Sequence, residues 1–360
     1  MQVLERGKYA SAMKRACEAV RLGSALCQNV QLQLKQAEAA SKSDKSPVTI
    51  ADYATQAVVA WSLQRGQGGG PLQMVAEEDS EDLRTEEGAS MADRITELVN
   101  NAVAAVEPGS NLSRQQVLDL IDLGQHQGGP EGSFWVLDPI DGTRGFVGMR
   151  QYAVCLGLVD QGQVVLGVLG CPNLPVEPIT PEQGEAGAAE HAGEPGYGCM
   201  FAAQLHEGSF VGPLQGDAPW QELQLTDHSD FSHIRFMESY EKGHSDHSFT
   251  AKLAKALGIT KAPLRLDSQA KYGALARGDA AVILRFPNRN YREKIWDHCA
   301  GAVIVQEAGG IISDAAGTPL GFGRGRWLDL DKGIVTSTPK AHAALIKAIA
   351  QLVQEGHEPA

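Results

Sequence analysis

No apolar run in this sequence approaches the ~18 residues that a membrane-crossing helix needs. The first residues, Met1 to Tyr9, are polar and lack the apolar core of a secretory signal. No two of the 6 cysteines (Cys17, Cys27, Cys155, Cys171, Cys199, Cys299) form a C-x-x-C pair. That argues against structural zinc and against a small disulfide scaffold, and it fits an intracellular, mostly reduced compartment. Positive charge is also short. Lys and Arg number 31 against 44 Asp and Glu, for a net charge of -13. Such a chain is not expected to hold a nucleic-acid backbone, although metals can reverse the local sign for a small anion. No internal repeat is visible. Gly321-Phe322-Gly323-Arg324-Gly325 lacks the strand-turn-helix setting of a dinucleotide loop and reads as a plain loop.

What remains is ordinary globular material, 43% hydrophobic and 21% charged, enough for one large domain or two smaller ones. Met13, Ala16, Cys17, Val20, Ser24 and Cys27 lie at helical spacing and predict a long N-terminal helix. Lys42 to Thr49 reads as a polar loop, after which Asp52 opens a second helix. Leu72 to Ala76 reads as a short strand, and residues 81 to 130 as polar and mostly helical. Ala153 to Val159 and Val164 to Leu169 flank Asp160-Gln161-Gly162-Gln163, a hairpin signal. Pro172 to Gly198 is rich in Pro, Glu, Gly and Ala and reads as a mobile surface loop. Beyond about Ser232, strand-like runs (234–237, 280–286, 333–336) alternate with helical ones (249–257, 298–307, 341–353). The reading is an α+β unit over residues 1–231 and a smaller α/β unit over residues 232–360.

The chemistry gathers around Trp135-Val136-Leu137-Asp138-Pro139-Ile140-Asp141-Gly142-Thr143. An apolar strand delivers two carboxylates to its C-terminal end. Mg²⁺ prefers hard oxygen ligands, and the Ile140 carbonyl adds a third. Gly142 allows close backbone approach, and Thr143 at a helix start offers an N–H and a hydroxyl to a phosphate. Glu77-Glu78-Asp79 ends another strand, where acids are commonly solvated caps. Asp297, before an apolar helix, reads either as an N-cap or as a ligand. Asp44 sits in a loop, where aspartate ordinarily forms turns. Glu241-Lys242-Gly243-His244-Ser245, Ser268-Gln269-Ala270-Lys271-Tyr272 and Arg285 supply cations and hydroxyls for a second anionic group, or else a solvated surface. Cys171 and Cys199 flank the Pro-rich segment, either as two buried thiols or as a pair that joins on oxidation.

D-P-I-D-G-T, the upstream Glu-Glu-Asp, and Trp296-Asp297 followed by Ala300-Gly301 and Glu307-Ala308-Gly309-Gly310 resemble the inositol monophosphatase superfamily of lithium-sensitive, magnesium-dependent phosphatases. Within it, S-P-V-T-x-A-D-Y, D-G-T-R-G-F, E-K-G-H-S and D-S-Q-A-K-Y resemble the 3'(2'),5'-bisphosphate nucleotidases. Gly145 stands where an inositol monophosphatase usually has Asn. K-S-D-K-S-P-V-T, V-A-E-E-D-S, R-G-D-A-A and Y-R-E-K-I-W-D-H are most similar to the plant and algal form. The likeness covers most of the chain and fades at residues 84–130 and in the Pro172 to Gly198 segment.

The resemblance implies a sugar-phosphatase-like layered αβαβα sandwich of mixed α+β and α/β character. It implies two to three Mg²⁺ per site. Glu77, Asp138 and the Ile140 carbonyl would hold one, and Asp138, Asp141 and Asp297 a second. A weaker third would sit near Glu77 and Asp44. Thr143 and Asp44 would take a proton from the attacking water. Gly142 and Thr143 would hold the reacting phosphate, and His244, Ser268, Lys271 and Arg285 the nucleotide and its second phosphate. The expected reaction is in-line hydrolysis of the 3'-phosphate of adenosine 3',5'-bisphosphate, with no covalent enzyme intermediate. 3'-Phosphoadenosine 5'-phosphosulfate is a further expected substrate. The rivals are an inositol (poly)phosphate 1-phosphatase and a non-catalytic nucleotide or metal sensor. No nucleic-acid or membrane partner is expected, and a monomer or weak homodimer is. Plant-type relatives point to chloroplast or mitochondrion, although the N-terminus shows no transit peptide, so cytoplasm stays open.

Overall fold

The computed structural model describes residues 4, 6–38, 46–66, 70–179, 197–228, 230–240, 247–287 and 291–357. Two helices open the chain, α1 (Ala10–Glu38) and α2 (Ser46–Arg65). A seven-stranded sheet follows, its strands neighbours in sequence order. They are β1 (Met74–Ala76), β2 (Ser133–Asp141), β3 (Ala153–Asp160), β4 (Gln163–Cys171), β5 (Cys199–Gln204), β6 (Gly208–Pro213) and β7 (Gln221–Leu223). β1 and β2 run parallel and the rest antiparallel. Between β1 and β2 lie α3 (Ala89–Val106) and α4 (Arg114–Asp122), and α5 (Thr143–Val147) follows β2.

The second sheet has five strands: β8 (Phe236–Glu238), β9 (Leu264–Arg265), β10 (Val282–Arg285), β11 (Ile311–Asp314) and β12 (Ile334–Ser337), in the order β11-β12-β10-β8-β9. Its helices are α6 (His247–Ala256), α7 (Ala270–Arg277), α8 (Cys299–Glu307) and α9 (Pro339–Gln354).

Strand alternation sorts the apolar side chains into three cores. Trp135 and Leu137 of β2 pack with α1 and α2, whereas Phe134 and Val136 face the opposite way, onto α8. In β10, Ile283 joins that same central core, and Val282 and Leu284 turn outward to Phe249 of α6 and Leu345 of α9. The layers are therefore helix, sheet, helix, sheet, helix, as the resemblance implied. The central helix α8 is apolar on every side, Cys299 to Val305 all buried, because sheets cover both of its faces. It sits close because Gly157 and Gly167 are paired in register across β3 and β4 beneath it. A Cβ at Gly157 would stand 2.5 Å from Cys299 Sγ.

The expected hairpin is β3–β4. Gln161 and Gly162 take φ of 52° and 75°, the doubly left-handed turn that suits the twist of two paired strands. The second helix departs from expectation. It begins at Ser46, so part of the expected polar loop is helical. Pro47 falls in the first turn, where no intrahelical donor is lost. Asp52 is buried inside α2, and burial, then Glu78 and Glu77, push its carboxyl well above the usual range. The start of the expected surface loop also packs inward, with Asn173 and Leu174 fully buried. Asn173 Nδ2 donates to Gln31 Oε1 at 3.1 Å and to the Arg150 carbonyl at 2.7 Å. Residues 180–196 lie outside the described residues. All 6 cysteines are buried and free, and Cys171 and Cys199 face each other in register across β4 and β5.

Candidate active site

The two aspartates of β2 are three residues apart, a spacing that points side chains to opposite faces of a regular strand. The pairing with β3 shows why they converge here. Asp138 pairs with Cys155 and Asp141 with Ala153, so β2 carries one extra residue between them. This bulge turns Asp141 to the side of Asp138. Cys155 and Ala153, their partners, both belong to the central core between the sheets. Ile140 packs on the other side, in the core with α1 and α2. Gly142 follows with φ of 89°, and a Cβ there would lie 2.9 Å from the Cβ of Ser268. Both the left-handed backbone and the close approach call for glycine. Thr143 begins α5, and its Oγ1 donates to the Ile140 carbonyl at 3.4 Å.

Parallel pairing sets Ala76 beside Leu137, which brings Glu77 next to Asp138 at the same sheet end. Asp297 arrives from a tight turn, Ile295–Asp297, immediately before α8. These four acids line one cavity of about 280 Å³, together with Ile140, Gly142, Thr143, Ser268, Lys271 and Arg285. Of the residues singled out by sequence, Asp44 and His244 lie outside the described residues. The other ligands and substrate contacts that the resemblance implied, Glu77, Asp138, Ile140, Asp141, Gly142, Thr143, Ser268, Lys271, Arg285 and Asp297, all line this cavity.

Crowded acids in a cleft should resist ionising. Burial, then the neighbouring acids, raises Asp138 well above the usual carboxylate range. Burial and Asp297 raise Asp141 to about 6, opposed by Lys271 and by the Gln269 N–H, which donates to Asp141 Oδ2 at 2.5 Å. Glu77 rises to about 7, again chiefly by burial, with Lys294 opposing from 3.7 Å. Asp138 Oδ1 is buried with no hydrogen-bond partner among the described residues. Such an orphaned carboxylate oxygen, amid four oxygen-bearing side chains, fits a hard divalent cation.

The opposite wall is cationic and already paired. Burial lowers the Lys271 ammonium to about 8, against the pull of Asp141. Arg285 Nε donates to Glu293 Oε1 at 2.6 Å, and its Nη2 lies 3.8 Å from Asp297 Oδ2. Tyr291 donates to Asp297 at 3.2 Å. Gln269 ties α7 to the start of α8, donating to the Trp296 carbonyl at 2.7 Å and accepting from the Gly301 N–H at 3.0 Å. Tyr291, Glu293, Lys294 and His298 belong to Y-R-E-K-I-W-D-H, where sequence reasoning assigned a role to Asp297 alone. Glu293, Asp297 and His298 also bring ligand-type atoms within 4.8 Å of one another. Both Glu293 oxygens are taken, by Arg285 and by His298, so this group is an ion-pair network and not a second metal site.

Gly145 has a packing reason. A Cβ there would collide with the Gln151 carbonyl oxygen, and the Gly145 carbonyl accepts from the Arg150 N–H at 2.7 Å. A side chain at this position would force the Gln151 backbone to shift.

A model of the inositol monophosphatase family matches residues 10–354. The 3'(2'),5'-bisphosphate nucleotidase of Oryza sativa is 44% identical, over 98% of this chain and 97% of its own. The 3'(2'),5'-bisphosphate nucleotidase 1 of Arabidopsis thaliana is 46% identical, over 96% and 98%. Among solved structures, an inositol monophosphatase from Zymomonas mobilis aligns with a TM-score of 0.57 at 15% identity, over 95% of this chain and 99% of its own. CysQ from Bacteroides thetaiotaomicron, a bacterial member of the inositol monophosphatase family, aligns with a TM-score of 0.55 at 18% identity, over 91% and 97%. At these identities the structural likeness carries the fold alone. Among the described residues, no helix is long and apolar enough to cross a membrane.

Proposed function

The chain belongs to the inositol monophosphatase family, and from that premise we propose that it hydrolyses the 3'-phosphate of adenosine 3',5'-bisphosphate to AMP and phosphate. 3'-Phosphoadenosine 5'-phosphosulfate is a second substrate of the same reaction. The carrying observation is the two-ended cleft: clustered acids on one wall, and Lys271 and Arg285 on the other. A substrate with two separated phosphates uses both ends, whereas an inositol monophosphate uses one.

Two to three magnesium ions complete the acid wall. Glu77, Asp138 and the Ile140 carbonyl would hold one, Asp138, Asp141 and Asp297 another, and Glu77 with Asp44 a third. Bound there, magnesium neutralises the acids and stabilises charge on the phosphoryl and leaving oxygens. The chain's own groups do the rest. Thr143 Oγ1 takes a proton from the attacking water and passes its own to Asp44. Gly142 and Thr143 hold the reacting phosphate, with the leaving 3'-oxygen directed away from the water. Ser268, Lys271, Arg285 and His244 hold the nucleotide and its second phosphate. Lys271, buried and lowered to about 8, is still mostly charged at neutral pH.

The proposed unit boundary falls after residue 231, between the last strand of the seven-stranded sheet at Leu223 and the first of the five-stranded sheet at Phe236. We propose a monomer or weak homodimer, and an intracellular compartment (chloroplast, mitochondrion or cytoplasm), whose reducing conditions accord with the free buried thiols. The test is phosphate release from adenosine 3',5'-bisphosphate against inositol 1,4-bisphosphate and inositol monophosphate, with and without Mg²⁺ and Li⁺. Magnesium-dependent, lithium-inhibited turnover of the nucleotide is expected to dominate. Faster release from either inositol phosphate would overturn the assignment.

A further inference from the structure

We infer that Glu293 is a positioning residue, fixing Arg285 for the substrate's second phosphate and holding it off the acid wall. This rests on the two-ended reading of the cleft. Glu293 is only 2% exposed, at the base of the segment that leads to Asp297. Its Oε1 accepts from Arg285 Nε at 2.6 Å. Its Oε2 lies 3.0 Å from His298 Nε2, and His298 Nδ1 lies 2.7 Å from the Tyr272 hydroxyl. An ionised carboxylate only accepts, so His298 Nε2 carries the hydrogen in that bond. The carboxylate is thus gripped on both oxygens. Burial alone would raise it, yet Arg285 and His298 outweigh burial and hold it at about 2.

The geometry at Arg285 makes this grip consequential. Burial works against the guanidinium's charge, and Glu293, ahead of Asp297, restores it. Two carboxylates therefore compete for one guanidinium, Glu293 at 2.6 Å and Asp297 at 3.8 Å. With Glu293 holding Nε, the outer nitrogens stay available to the cleft, which Arg285 lines. Without the Glu293 charge, Asp297 is the nearest anion. Arg285 would then swing onto an acid proposed to hold metal, and both ends of the cleft would suffer from one change. The Tyr272 and His298 rings, edge-on at 76° with centroids 6.1 Å apart, brace the back of the network.

The experiment pairs Glu293→Gln, nearly isosteric, with Arg285→Gln and the double variant. Each is assayed on adenosine 3',5'-bisphosphate and on 3'-AMP, which lacks the second phosphate. With Mg²⁺ saturating, so that weaker metal binding is masked, Glu293→Gln is expected to raise KM for the bisphosphate about tenfold with kcat within about threefold, and to leave KM for 3'-AMP unchanged. Calorimetry on the nucleotide-free variant is expected to show weaker Mg²⁺ binding, a readout independent of turnover. The double variant is expected to be no worse than Arg285→Gln, because Glu293 acts through Arg285. Equal loss on both substrates, or losses that multiply in the double variant, would overturn the inference. If Arg285→Gln leaves the preference for the bisphosphate intact, the two-ended reading itself fails, and the role of Glu293 with it. Should Glu293→Gln not fold, Arg285→Lys keeps the charge but cannot serve Glu293 and a phosphate together. It is expected to reproduce the KM split, and a normal ratio would count against the proposal.

Discussion

The two walls of the cleft solve opposite electrostatic problems. The acid wall comes mainly from the ends of β1 and β2. Glu77, Asp138 and Asp141 are pushed toward neutrality, and one buried oxygen on Asp138 has no hydrogen-bond partner among the described residues. The cationic wall comes from α7, β10 and the segment before α8. Its central charge, Arg285, is buried yet paired at 2.6 Å with a carboxylate that does not face the substrate. One wall is complete in the protein alone. The other, on the proposed function, would be finished by a cation from solution. On that function, the contrast teaches that the binding end can be preorganised, whereas the reacting end would be assembled when metal arrives.

The sharpest way to break this comparison is to remove an acid. Asp138→Asn is expected to cut turnover by at least about 100-fold, since the side chain is proposed to serve two ions. The same change should raise the melting temperature of the metal-free protein at neutral pH, because it removes a buried acid whose ionisation the fold opposes and the unfolded chain does not. A variant that loses activity and also melts lower without metal would mean that Asp138 is structurally satisfied, and the contrast would collapse.

Next in size is the response to metal and pH. A cation that binds only the folded state adds roughly 2.7 kcal/mol at a hundred times its dissociation constant. Thermal unfolding with Mg²⁺ titrated in should show it. Without metal, Glu77 and Asp141 hold protons up to about 7 and about 6 that the unfolded chain releases near pH 4. Their contribution is fully present below about pH 4 and is lost as pH rises through 6 and 7. The metal-free melting temperature should therefore fall over that window and the magnesium-loaded one much less. Parallel curves would refute the difference between the walls.

Gly145→Ala sharpens the comparison from the side of packing. The new methyl meets the Gln151 carbonyl oxygen, an immovable backbone atom, and about 1–3 kcal/mol of stability should be lost in urea unfolding. At the small end stands Arg292→Ala. Its ion pair with Asp329 spans 3.0 Å, but both side chains are more than half exposed, at 58% and 52%. The expected change is under about 1 kcal/mol. A larger loss would show that pairing in the open matters here as much as pairing in the cleft.

The acid wall was the more legible in sequence. Apolar runs ending in acids mark strand ends, and Asp138 and Asp141 stood out with the Gly-Thr that follows them, whereas Glu77 and Asp297 read singly as caps and gained weight only together with them and from the family resemblance. The cationic wall was only half visible. Lys271 and Arg285 were marked by charge, but Glu293 looks like any surface glutamate until its burial between Arg285 and His298 is seen. Tyr272 and His298 were likewise hidden as supports, because their meeting joins residues 26 apart. In the fold, β6 and β7 escaped notice because their runs are short and interrupted by glycine and polar residues, and β5 was passed over although Cys199 to Ala203 is an apolar run. α7 escaped because seven of its residues, from Ala270 through Ala276, are buried, and a helix covered all round shows no polar face. The start of α2 was misplaced because Asp52 looks like a cap, whereas it lies buried inside the helix, near Glu78 and Glu77.

The bulge in β2 settles a matter of parity. Along a pleated strand, even spacings agree in direction and odd spacings disagree. D-x-x-D is odd, and one surplus residue opposite Val154 makes it count as even. The segment can therefore accept changes of composition between the aspartates more readily than any change of length. Deleting or inserting a single residue at 139–140 would leave both carboxylates in the chain and send one of them into the apolar layer beneath α1 and α2.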